Sequence, residues 1–110
     1  MAKLAEIREL NSILAQKRDE LARQKERLFA TKRSFQGVKP VGYISIQEDI
    51  VRLLKEIAEI CQQISIKYLT LAAEAENSYE EQDILATASK YARHAYEANM
   101  EAENFKASSI

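Results

Sequence analysis

Residues 37–43, Gly37-Val38-Lys39-Pro40-Val41-Gly42-Tyr43, hold both glycines and the single proline of the chain. Glycine and proline are the residues that stop helices, so this stretch is the one unambiguous loop and the long runs on either side are left to be helical. Just beyond it, Ser45 stands three residues before Glu48, a Ser-x-x-Glu capping box in which each side chain can satisfy the other's unbonded backbone N–H. A first helix must end before the stretch, residues 35–45 read as a loop, and a second helix starts near Ile46.

Upstream, Ile7, Leu14, Leu21, Leu28 and Phe35 recur every seven residues, with Leu4, Leu10 and Ile13 widening the apolar face in the first turns. The positions between them are mostly Glu, Lys, Arg, Gln and Ala, all strong helix formers, so pattern and propensity agree over about 3–34. Downstream, Ile46, Ile50, Leu53, Ile57, Ile60, Ile64 and Leu71 form one seam at alternating spacings of four and three. Val51, Leu54, Cys61, Tyr68 and Ala72 form a second stripe beside it. Two adjacent stripes make a face too broad for one neighbour, so this helix should be the central one, gripped from two sides.

The polar run Glu74-Ala75-Glu76-Asn77-Ser78-Tyr79-Glu80-Glu81 interrupts that seam, and Ser78 with Glu81 repeats the capping-box pattern. The reading ends the second helix at about 76 and starts a third at about 79. The alternative is one unbroken helix from 46 to about 106. In the last segment Ile84, Ala88, Tyr91, Ala95, Ala98, Ala102 and Phe105 continue the spacing, mostly with alanine, and such a seam depends on close approach for its dispersion energy.

At about 1.5 Å per residue the three helices come to roughly 48, 46 and 42 Å, matched lengths that suit an antiparallel, coiled-coil-like three-helix bundle. The chain has 110 residues, 30 % charged and 46 % apolar, a composition of long helices rather than of disorder, and one domain's worth of chain over 1–110. The single cysteine, Cys61, permits neither an internal disulfide nor a multi-cysteine zinc site. The first residues enter the charged pattern at once, with no apolar run long enough for a signal peptide or membrane span, so a cytoplasmic protein is expected.

The formal net charge of −1 conceals an asymmetry: residues 1–41 carry ten Lys or Arg against five Asp or Glu, and 42–110 carry six against twelve. Arg18, Lys25 and Lys32 are spaced by seven and share a face beside the leucine stripe, while Lys17, Arg23, Arg27 and Arg33 broaden the positive band. Successive heptads put such charges about 10 Å apart, a workable pitch along a phosphate backbone. These seven are the candidate binding residues for nucleic acid or another acidic partner. The competing reading has them flanking a helix seam and pairing with Asp19, Glu20 and Glu26 or with the acidic third helix.

No constellation points to catalysis. The only histidine, His94, lies among alanines and charges, and Cys61 lies in an isoleucine-rich seam rather than the electropositive pocket a thiolate needs. Helical di-iron sites use an inward Glu-x-x-His on each of two helices plus two further glutamates. This chain has only the reversed order His94-x-x-Glu97, so Glu56, Glu59, Glu97, Glu101 and Glu103 read as solvated faces. No metal, cofactor or small-molecule substrate is expected. Tyr43, Tyr68, Tyr79, Tyr91 and Tyr96 all fall in the acidic half, where packing in or beside the core suits them better than base stacking.

Phe35-Gln36-Gly37 and Tyr79-x-x-x-Asp83 resemble degraded forms of the Trp-x-Gly turn and Tyr-x-x-x-Asp/Glu signal of small type VII secretion substrates. Here phenylalanine stands in place of the defining tryptophan, and a periodic helix follows Tyr79 where that family has an export tail. The outline of a small helical chain with one basic helix is also similar to the small subunits of CRISPR ribonucleoprotein effectors, which line a nucleic-acid groove. No motif carries that likeness. The functional expectation is a non-enzymatic helical interaction protein, a small subunit or adaptor with a protein partner or a second copy of itself. The alternatives are a nucleic-acid-contacting subunit using the first helix and, after it, a type VII secretion substrate.

Overall fold

The computed structural model describes the backbone of residues 2–34 and 41–108, and the side chains of residues 4–31 and 42–106. Three helices, α1 (Ala2–Ser34), α2 (Val41–Ala72) and α3 (Ser78–Ser108), take up all of these residues except 73–77. The fold is an all-α three-helix bundle. Its directions follow from the links between helices: Glu6 meets Lys67 at 2.8 Å and Lys17 meets Glu56 at 2.9 Å, so α1 ascends as α2 descends. The turn at 73–77 reverses the chain again, leaving α3 parallel to α1, with Tyr91 opposite Asn11 and Glu101 opposite Lys25.

The broad apolar face of α2 is gripped from both sides, as its double stripe requires. Both α1 and α3 pack on it, whereas among the described residues no α1 Cα comes within 8 Å of one in α3. Ile50, Leu53, Cys61 and Ile64 are completely enclosed. From α1 the heptad row Ile7, Leu14, Leu21 and Leu28 meets them, each burial stabilising by roughly 1.5 to 3 kcal/mol. Phe35, which continues that row in the sequence, lies outside the described residues.

The third helix contributes Ala88, Ala95, Ala98 and Ala102, flanked by half-buried Tyr91 and Phe105. Side chains this small let α3 lie close along α2, with the two backbones packed more closely than those of α1 and α2. Close approach also lets the buried Ser65 hydroxyl donate across the seam to the Ala88 carbonyl at 2.8 Å. The molecule measures 61 × 23 × 16 Å with a radius of gyration of 17.6 Å. A compact globule of this length would have about 13 Å, so the bundle is a rod with much surface for its core.

Two helix boundaries differ from the sequence reading. The second helix begins at Val41, not near Ile46, so residues 41–45 are helical and Ser45 with Glu48 is an exposed pair inside the helix rather than its cap. The reason is burial: Tyr43 is only 3 % exposed and extends the seam of Ile46 and Ile50 one turn upstream. Gly42 has open space around it and does not obstruct. A helix start directly after Pro40 in the chain also sacrifices nothing, since the first helical N–H groups have no intrahelical partner. Residues 35–40 of the expected loop lie outside the described residues.

The second difference concerns the break between α2 and α3, which begins at 73 rather than after 76. The last turn tightens, with the N–H of Glu74 donating to Leu71 and that of Ala75 to Ala72, both i to i−3 bonds of a 3₁₀ ending. The new helix is capped by Asn77, not Ser78: the Glu80 N–H donates to Asn77 Oδ1 at 2.8 Å and the Glu81 N–H to its carbonyl at 3.0 Å. Glu80 Oε2 in turn accepts from the Glu76 N–H at 3.3 Å. Glu80 and Glu81 thus sit at the positive end of the α3 dipole.

Candidate interaction surface

The basic residues of α1 divide into two groups with different fates. Residues seven apart differ by only about 20° around a helix, whereas residues five apart face nearly opposite ways. Arg18 and Lys25 therefore turn with the leucine row toward the other helices, and Arg23 and Arg27 turn away from it. Lys25 meets Glu101 of α3 at 2.6 Å, and Lys17 donates to Glu56 Oε2 of α2 at 2.9 Å.

Glu56 also accepts from Arg52 at 2.7 Å. The Lys17 hydrogen bond, with Arg52 beyond it, holds the Glu56 carboxyl below its ordinary range although partial burial pushes the other way. Arg18 lies beside Cys61, where burial raises the thiol above its ordinary value and the guanidinium opposes this only in part. Arg23 is exposed, and exposed Arg27 donates to Gln24 Oε1 at 3.2 Å. The side chains of Lys32 and Arg33 lie outside the described residues.

The tyrosines also divide. Tyr43 is buried, and Tyr68 stacks on Tyr91 with ring centroids 5.8 Å apart. Tyr91 donates its hydroxyl to Asn11 Oδ1 at 2.9 Å and meets the His94 ring edge-on at 6.2 Å. Burial, then the neighbouring Tyr91, raises the Tyr68 hydroxyl above its usual value. Tyr79 and Tyr96, expected in or beside the core, are instead exposed at 81 % and 65 %. Among the described residues no group of three or more His, Cys, Asp or Glu is placed to hold a metal, and no helix is long and apolar enough to cross a membrane.

Sequence patterning did not single out the apolar side chains left in solvent. Phe29 on α1, Ile44, Ile66 and Leu69 on α2 and Leu85 and Met100 on α3 are all exposed, Phe29 at 61 % and Ile66 at 54 %. Their signal is an apolar residue outside the seam or stripes of its helix. On α2, Leu69 follows Ser65 by one turn on the edge that touches α3; on α3, Leu85 and Tyr96 occupy the edge opposite Tyr91 and Glu101, away from α1. Ile66, Leu69 and Leu85 therefore share the outer side of the α2–α3 seam.

Clefts lie toward both ends of the rod. Near the α2–α3 turn a cleft of about 490 Å³ has Leu4, Tyr68, Leu71 and Ile84 as apolar lining and Glu74, Glu76 and Glu80 beside them. At the other end a cleft of about 240 Å³ lies between Ile44, Val51 and Phe105, beside Gln47. Gln47 is 4 % exposed, and its Oε1 has no hydrogen-bond partner among the described residues.

Comparison of the chain with protein-family models, with curated proteins and with solved structures finds no significant match.

Proposed function

We infer that this protein is a non-enzymatic helical interaction protein of the cytoplasm, a small subunit or adaptor in a larger assembly. One observation carries the reading: Ile66, Leu69 and Leu85 stand in solvent on the outer side of the α2–α3 seam, while the isoleucine, leucine and alanine rows of the helices are buried against one another. Exposed apolar side chains that neighbour one another across a helix seam suit a surface that a protein partner covers. Affinity capture from the native cell, comparing wild type with Ile66→Ser/Leu69→Ser/Leu85→Ser, tests it. The variant should keep its helical circular dichroism and lose the partner, whereas retention of the same partners would refute the assignment of this face.

A second reading makes α1 a nucleic-acid-contacting surface, supported by Arg23 and Arg27, which face outward one helical turn apart. Lys17 and Lys25 weigh against it because they are spent on Glu56 and Glu101. A salt titration separates the two readings: phosphate neutralisation makes affinity fall steeply with ionic strength, and apolar docking does not.

A further inference from the structure

The outer side of the α2–α3 seam carries its features in a symmetric order. Toward the turn stand Ile66 and Leu69 of α2 with Leu85 of α3, all exposed. Toward the other end lies the cleft of about 240 Å³ between Ile44, Val51 and Phe105. Two steps of eleven residues separate Ile44 from Ile66, and eleven residues return to within about 20° of the same direction around a helix, so Ile44, Lys55 and Ile66 form one line. Midway along α2 between the Ile66–Leu69 pair and the cleft lie Ile57 and Ala58. The Ser65–Ala88 hydrogen bond sets the level of α3 against α2, and it places Ala95 and Tyr96 opposite that midpoint. Tyr96 is 65 % exposed. Lys55 and Glu59 straddle the midpoint on exposed positions, and among the described residues neither enters an ion pair. A surface whose apolar projections, hollow and opposite charges are balanced about one centre is complementary to itself when turned end for end.

We propose that two copies of the chain associate through this face, antiparallel, about a two-fold axis that passes beside Tyr96. Turned end for end, Ile66 and Leu69 of one copy lie over Ile44 and Val51 of the other, and each Lys55 comes opposite the other's Glu59. The proposal names the occupant of the Ile66, Leu69 and Leu85 face and so rests on the interaction-protein reading. Side by side, α2 and α3 offer a strip about 47 Å long and about 18 Å wide, enough for the roughly 800 Å² that a stable dimer takes from each partner. Lys106 beside Lys55 holds the Lys55 ammonium below its ordinary pKa, with Glu103 opposing this only in part, so Lys55 gains from a further carboxylate.

Sedimentation of the full chain over a wide concentration range reads the mass, with circular dichroism as the control for folding. Wild type should sediment as two chains. Tyr96→Arg, which sets like charges together at the axis, should return it to one. Lys55→Glu and Glu59→Lys, each alone, put like charges opposite one another at both contacts and should weaken association at least about tenfold. Mixed together, these two variants should associate as wild type does, because each then meets the opposite charge at both contacts. A single chain at every concentration, unimpaired association of Tyr96→Arg or of either charge variant alone, or failure of the mixture to recover would each overturn the proposal. A wild-type monomer that captures a different protein, and loses it in the Ile66/Leu69/Leu85 variant, would refute self-association and leave the broader reading standing.

Discussion

Replacing Asn77 with alanine removes the side-chain oxygen that accepts the Glu80 N–H at 2.8 Å and leaves that donor to water at the start of α3. N-cap substitutions of this kind cost about 0.5 to 2 kcal/mol, and because Asn77 is exposed, the freed N–H can be hydrated, which points to about 1 kcal/mol. Unfolding entropy for a chain of this length is about 0.23 kcal/mol per kelvin, so the midpoint should fall by about 4 °C. Asn77→Gly should lose only a few tenths of a kcal/mol. Ser78→Ala should change almost nothing, since the Glu80 and Glu81 N–H groups are already held by Asn77. Thermal and urea melts followed by circular dichroism at equal protein concentration measure all three. If Ser78→Ala cost as much as Asn77→Ala, the cap would lie one residue further on. If neither mattered, the 73–77 turn would contribute no capping energy and the account of the break would fail.

Ile57→Ala, at a residue 4 % exposed in the central helix, should destabilise by about 2 to 5 kcal/mol, and Ile60→Ala by less because Ile60 is only half-buried; equal losses in urea melts would contradict the assigned core. Gln47→Met replaces a buried acceptor that has no partner among the described residues with an apolar chain of similar length and should stabilise by about 1 kcal/mol; a loss of stability would mean that the amide is needed. Glu56, held below its ordinary value of 4.5 by Lys17 and Arg52, contributes stability that is present above that value and fades as pH falls through the lower folded-state one. Lys17→Met should flatten that acid limb by less than about 1 kcal/mol, and an unchanged pH profile would show that the pair is inert.

Much of the fold was legible because helical periodicity is a local property. The heptad Ile7, Leu14, Leu21, Leu28 and the alanine row from Ala88 to Ala102 declare a buried face from spacing alone, and both rows are buried. The break within 74–81 was legible too, though displaced: both Asn77 and Ser78 are good caps, and only the hydrogen bonds tell which one acts. The start of α2 was misread for the opposite reason. A capping box at Ser45 is a local preference of about 1 kcal/mol, while burying Tyr43 against distant helices is worth more and draws the helix upstream.

The composition and order of residues by themselves determined three amphipathic helices, the centrality of the isoleucine-rich one and the unequal distribution of charge. Which charges remain for a partner was decided only in three dimensions. Spacing places Arg18 and Lys25 on one face, but Glu101, which takes Lys25, lies on another helix, and so does Glu56, 39 residues from Lys17 in the chain. The same holds for the turn-end cleft, whose apolar wall joins Leu4, Leu71 and Ile84 from three helices. Helix formation follows from contacts three or four residues apart and leaves its mark in the sequence, whereas ion pairs and clefts arise where helices cross, and their register depends on the packing of all three at once.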